Sequence, residues 1–153
     1  MGSFSCLTYH FVFATKYRKR IISEHFQERL YEYIGGIIRS NKGHLIEIGG
    51  VEDHVHILAG LSPALAVSDV IRDVKASSSK WMTEELNIER FKWQKGFGAF
   101  TVSFDRIASA RSYIRNQKEH HEKKTFQEEY IEFLERPNIE YNPEFLFEGE
   151  HVG

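Results

Sequence analysis

The sequence predicts an α+β fold of the ferredoxin-like (RRM-like) kind: an antiparallel sheet with two helices on one face and further helices after the last strand. Three observations lead there. Aromatic and β-branched stretches alternate with longer stretches whose apolar residues repeat at helical spacing. Their order is β-α-β-β-α-β, the split β-α-β arrangement. The chain has 153 residues, 41% of them hydrophobic, which suits one domain with a real core. The second face of the sheet is left open for a ligand, a partner or the extra helices.

Residues 4–14, rich in aromatic and β-branched types, read as the first strand. A basic cluster around one aromatic follows, Lys16-Tyr17-Arg18-Lys19-Arg20. Ser23 is placed as an N-cap for a helix running to about Ser40, with Phe26, Leu30, Ile34, Ile37 and Ile38 on one face and Gly43 at its end. Gly35-Gly36 within that helix costs stability and suggests close packing. Residues 44–50 form a second strand, and Gly49-Gly50 is expected to open a hairpin into a third, His54 to Leu61. Residues 67–86 read as a helix with Val67, Val70, Ile71, Val74, Trp81 and Met82 as its apolar stripe. Residues 91–104 read as a fourth strand interrupted by Gly96 and Gly98. Helices over about 105–122 and 125–135 complete the pattern, and Arg136-Pro137 ends it. The domain is accordingly set at 1–136, with 137–153 as its acidic C-terminal tail.

The net charge of −2 argues against a highly basic nucleic-acid binder. The charge is uneven, however. Residues from 127 onward hold eight Glu and one Arg, leaving 19 Lys/Arg against 14 Asp/Glu in the rest. A mildly basic body is masked by an acidic end, and phosphate binding stays open. The single cysteine, Cys6, excludes an internal disulfide and a Cys-x-x-Cys zinc site. With no signal-like or membrane-spanning run, a cytoplasmic setting without membrane contact is expected.

Asp53-His54-Val55-His56-Ile57-Leu58 carries the most chemistry. Strand side chains alternate, so His54 and His56 share one sheet face while Val55 and Ile57 join the helix-packed core. Two imidazoles on one face are a start for a divalent metal site, although the pair alone is equally that of an ordinary strand. Asp53 is either a partner that fixes an imidazole tautomer from behind or simply a turn residue. In the stretch from Ser112 to His121, Tyr113 and Gln117 are four apart and share a helical face. Gln117 can offer an oxygen to a metal while Tyr113 presents its hydroxyl as a nucleophile. His120 and His121 compete with Gln117 as ligands, and His120 is also placed behind the ligands as a support. Lys16, Arg18, Lys19, Arg20, Arg111, Arg115 and Lys118 are candidate phosphate contacts, each of which could equally be a solvated charge. Trp93, Phe97 and Phe100 could stack bases or belong to the core.

Together these stretches resemble the single-tyrosine HUH transposases of the insertion-sequence-200/605 type. Their His-hydrophobic-His motif is matched by His54-Val55-His56, and their Tyr-Ile-x-x-Gln motif by Tyr113-Ile114-Arg115-Asn116-Gln117. Tyr9 to Arg18, Gly49 to His56 and Trp93 to Phe100 are similar to the family as well, so the likeness extends to about residue 136. The resemblance implies a homodimer that binds hairpins in single-stranded DNA at the ends of a mobile element. It implies that Tyr113 attacks a scissile phosphate and becomes joined to the DNA 5′ end. It implies Mg²⁺ or Mn²⁺ held by His54, His56 and Gln117, in a site completed by the tyrosine helix of the same or the other subunit. A domesticated relative that processes repeated chromosomal palindromes would share this chemistry. A non-catalytic single-strand-binding module, or a hydrolase in which water attacks, would not need Tyr113.

Overall fold

The computed structural model describes residues 2–137 and 139–140. Four strands form one antiparallel sheet: β1 (Thr8–Ala14), β2 (His44–Val51), β3 (His54–Gly60) and β4 (Gly98–Thr101), in the order β2-β3-β1-β4. With α1 (Gln27–Ser40) between β1 and β2, and α2 (Val67–Glu85) between β3 and β4, this is the expected α+β arrangement. Three shorter helices follow: α3 (Ile107–Arg115), α4 (Gln117–His121) and α5 (Phe126–Glu135). The acidic tail expected from residue 137 lies almost wholly outside the described residues.

Alternation along the two central strands divides the interior. Phe11 and Phe13 of β1, and Val55, Ile57 and Ala59 of β3, point to the α1/α2 side and join Leu30, Ile34, Ile38, Val70, Ile71, Val74 and Met82 in the main core. Val12 and Ala14 point the other way and pack under Phe126, Tyr130 and Leu134 of α5. The face that the sequence left open is therefore covered by the chain's own last helix. Thr125 anchors α5 with a reciprocal capping box to Glu128.

Several boundaries shift. The first strand begins at Thr8, and the long fourth strand contracts to Gly98–Thr101, with Trp93 reaching the sheet only through an isolated bridge to Thr15. Trp93 is buried edge-on against Phe13 and Phe91, and its indole N–H donates to Ser78 Oγ at 2.9 Å. Phe97 packs on the same core, and Phe100 stacks on Phe133 at 5.2 Å. All three aromatics take the packing role. The helix expected over 105–122 is interrupted at Asn116 (φ −99°, ψ 27°), which puts Tyr113 and Gln117 on successive helices. The N-cap of α1 is Phe26 rather than Ser23, whose backbone carbonyl accepts from Phe26 and Gln27 in the turn ahead of the helix.

The hairpin turn is made by Glu52 and Asp53, between the paired residues Val51 and His54. Gly49 serves another purpose. A Cβ there would lie 2.2 Å from the carbonyl oxygen of Ile114, so the missing side chain lets α3 settle onto β2. Arg111 and Arg115 fasten the same helix by bonding Glu47 of β2, each at 2.9 Å. A Cβ at Gly35 would meet Leu45 at 3.1 Å, whereas one at Gly36 would have only the flexible tip of Arg39 nearby, at 3.8 Å. We predict that Gly49→Ala displaces α3 and destabilises the protein by about 1–3 kcal/mol, the usual range for forced overpacking. Gly36→Ala should instead stabilise by about 0.5–1 kcal/mol. Chemical denaturation of both variants checks the pair, and equal effects would refute the packing assigned to Gly49.

Candidate active site

Three histidines cluster on the outer sheet face. Because β1 pairs β3 with Val12 opposite His56 and His10 opposite Leu58, the side chains of His10, His54 and His56 all emerge under α3, α4 and α5. His54 and His56 are fully buried, with their rings 5.1 Å apart. Each has its inner nitrogen held. Asp53 Oδ1 lies 2.7 Å from His54 Nδ1, and His10 Nε2 lies 2.8 Å from His56 Nδ1. The free nitrogens, both Nε2, are thereby turned toward one point. Asp53 also stands in the hairpin turn.

At that point sits the carboxylate of Glu129, from α5, which is 1% exposed. Its Oε1 is 2.9 Å from His56 Nε2 and 3.3 Å from His121 Nε2. Its Oε2 accepts from the Tyr113 hydroxyl and from Gln117 Nε2 at 3.2 Å, with His120 Nε2 3.0 Å away. Gln117 is buried as well, and its Oε1 stands 3.2 Å from His54 Nε2. His120 Nε2 is 3.1 Å from the Tyr113 oxygen. Tyr113, His54, His56, Gln117, Asp53 and His120 thus converge, although a helix break separates the tyrosine from the glutamine.

Burial dominates the electrostatics. Desolvation lowers His10 to about 3, aided by His56, and lowers His56 to about 4 against the pull of Glu129, so both imidazoles are neutral. Burial alone would raise Glu129, yet the hydrogen bonds from His121 and His56 outweigh it and hold the carboxyl well below its ordinary range. Tyr113 is pushed above the usual phenol value by burial and by Glu129. The hydroxyl therefore needs a proton acceptor, and two lie within hydrogen-bond reach.

The donor set fits a divalent cation. His54, His56, His121 and Glu129 each offer an atom within 4.8 Å of the others, and the Gln117 oxygen adjoins them. Two features of the site, Glu129 and the support His10 gives His56, escape sequence reasoning. Glu129 reads as one more acid in an acidic run. Only the strand register brings His10 to His56.

The candidate phosphate contacts divide. Arg111 and Arg115 are engaged by Glu47, and Lys118 bonds Glu24 at 2.6 Å. Arg18, Arg20 and Lys118 line a cleft that reaches Asp53 and His121, while Lys16 and Lys19 face a different hollow. A second cleft, lined by Arg106, Arg136, Phe133 and His10, opens on Tyr113 from the other side.

A family model described as "Transposase IS200 like" matches residues 3–117, most of the chain. The chain belongs to that family. Among its relatives, the ISDra2 transposase TnpA of Deinococcus radiodurans is 26% identical over 117 residues, covering 72% of this chain and 84% of the relative. The transposase for insertion sequence element IS200 of Salmonella typhimurium is 29% identical over 121 residues, covering 72% and 76%. The crystal structure of a Deinococcus radiodurans protein assigned as a transposase superposes with TM-score 0.61 at 26% identity, over 76% of this chain and 95% of that one. A REP-associated tyrosine transposase bound to a REP hairpin shares the fold, with TM-score 0.60 at 16% identity over 79% and 74%. The protein is thus a transposase of the IS200/IS605 family, which is metal dependent. No helix among the described residues is long and apolar enough to cross a membrane. The family match ends at Gln117, so α5 and Glu129 lie beyond it.

If Asp53 orients His54 for metal binding, Asp53→Ala should weaken Mn²⁺ binding about 10- to 100-fold, the usual cost of removing such a support. Isothermal titration checks this, and unchanged affinity would assign Asp53 to the turn alone.

Proposed function

We propose that this transposase cleaves and rejoins single-stranded DNA at hairpin-bearing element ends, with Tyr113 as the nucleophile. One observation carries the reading: the Tyr113 hydroxyl bonds the same buried carboxylate that bonds His56 at 2.9 Å, so nucleophile and ligand pair share one site. In the reaction the Tyr113 oxygen bonds to phosphorus as the bond from phosphorus to the 3′-oxygen breaks. The tyrosine proton passes to a neighbouring acceptor, and the departing 3′-oxygen takes up a proton. A later 3′-hydroxyl reverses the exchange. One phosphodiester replaces another at each step, so no nucleotide cofactor is required.

Mg²⁺ or Mn²⁺ would be held by His54, His56 and Gln117, with Glu129 and His121 in reach. Such an ion polarises the phosphate and stabilises its developing charge. The oxygens of Gln117 and Glu129 offset the two imidazoles, which by themselves favour transition metals over Mg²⁺. His120 stands beside the Tyr113 oxygen as an alternative proton acceptor. A homodimer belongs to the same proposal. Strand β4 lies at the end of the sheet among the described residues and leaves an edge for a second copy.

Incubation with single-stranded element-end DNA and Mn²⁺, followed by a denaturing gel, tests the reading. Wild type should form a covalent protein–DNA species, and Tyr113→Phe should form none while still binding the hairpin. Cleavage that survives in Tyr113→Phe would point to attack by water. An adduct mapped to another tyrosine would overturn the assignment. His54→Ala and His56→Ala should each lose cleavage by at least about 100-fold with binding kept, because phosphate contacts lie elsewhere. Full activity in the double variant would refute a histidine metal site.

A further inference from the structure

On the far side of the loop after β1, a hollow of about 360 Å³ is lined by Lys16, Tyr17, Lys19, Ile21, Arg90 and Lys92. Four cations face it, and no acid does. Among the described residues none of these four forms an ion pair, in contrast to Arg72, Arg111, Arg115, Lys118 and Lys124, which are all matched with carboxylates. Within a chain of net charge −2, four unneutralised cations at one spot cost self-repulsion that an anionic ligand would relieve. Tyr17 is half exposed, with Lys16 Nζ 5.3 Å from its ring centre. Aromatic face and cations together suit a base and its phosphates.

The hollow is built rather than accidental. Lys16 N–H donates to the Lys92 carbonyl at 2.9 Å, and buried Thr15 donates its hydroxyl to the Lys19 carbonyl at 2.7 Å. Tyr17, Arg18 and Arg90 take left-handed backbone angles (φ 60°, 51° and 59°), which non-glycine residues adopt at a cost. The turn at Tyr17 and Arg18 sorts the basic side chains. Lys16 and Lys19 line the hollow, while Arg18 and Arg20 line the cleft that leads to Asp53 and His121. A strand passing over this loop would keep cations beside its backbone from the hollow to the histidines.

We infer that Lys16, Tyr17, Lys19, Arg90 and Lys92 form an anchoring site for unpaired DNA, which holds backbone phosphates and stacks one base on Tyr17 at a distance from the scissile bond. The inference rests on the transposase reading for its choice of DNA, and its test is independent of catalysis.

Fluorescence anisotropy over a range of salt concentrations provides that test, using a labelled oligonucleotide with a stem-loop and a single-stranded arm, then the stem-loop and the arm separately. One variant combines Lys16→Gln, Lys19→Gln and Lys92→Gln with Arg90→Asn, since asparagine tolerates the left-handed angle. A control combines Arg29→Gln and Lys80→Gln on the helical face. Thermal melts confirm that each is folded. The basin variant should bind the arm at least about tenfold more weakly. Its log-affinity should also fall less steeply with log salt, by about 0.7 for each phosphate that is no longer neutralised. Tyr17→Asn should weaken the arm severalfold and leave the stem-loop alone unchanged. Affinity and salt slope equal to the control would overturn the site, and weakening confined to the stem-loop would overturn its preference for unpaired DNA. Loss of arm binding in a protein whose wild type forms no covalent adduct would keep the basin and remove the tyrosine chemistry. An adduct formed at full affinity by the basin variant would do the reverse.

Discussion

A buried carboxylate governs the arrangement of the outer sheet face. Glu129 sits among His56, His121, His120, Gln117 and the Tyr113 hydroxyl, and is 1% exposed. An ionised carboxyl removed from water costs several kcal/mol unless its oxygens are satisfied. Its partners come from β3, α3 and α4, so satisfying it fixes all three segments against α5. The apolar contacts of Phe126, Tyr130 and Leu134 supply the burial, and the polar contacts set the register. The outer layer is thus built inward from its chemistry, whereas the α1/α2 layer is held by ordinary side-chain packing.

What the sequence makes legible follows from which interactions are local. His54 and His56 share a face because strands alternate, and that needs no knowledge of partners. The α1 and α2 stripes are read the same way, at helical period. Glu129 meets His56 across 73 positions, and His10 meets it across 46, so neither contact leaves a local trace. Asn116 breaks the helix without a proline or glycine to announce it. Tyr113 and Gln117 still meet, and both bond Glu129. The role of Gly49 is equally hidden: a glycine pair before a strand resembles a turn, and only the approach of Ile114 shows that space is the requirement.

Charge illustrates the same limit. Arg111, Arg115 and Lys118 look like phosphate contacts in the sequence, yet acids distant in the chain claim them. The pair at Glu47 is half exposed and worth little in stability. Its value is positional, since it clamps α3, the helix that carries Tyr113, to the sheet edge. Four cations without such partners among the described residues, Lys16, Lys19, Arg90 and Lys92, line the hollow beside Tyr17. The distribution separates two tasks that composition merges, holding structure and holding an anion.

The position of Glu129 also restricts how a phosphodiester can enter. Phosphate and carboxylate carry the same sign of charge, and their repulsion grows as water is excluded. Side by side in a site this dry they are compatible only with a cation between them. Otherwise α5 must carry its carboxylate away. His10 and His56 do not supply the charge, because burial keeps both neutral. A divalent ion bound by the site's nitrogens and oxygens can. A metal at this site would therefore have a local electrostatic role beyond activation of a phosphate: without positive charge at the histidine pair, the helix that completes the site would also close it to an anion.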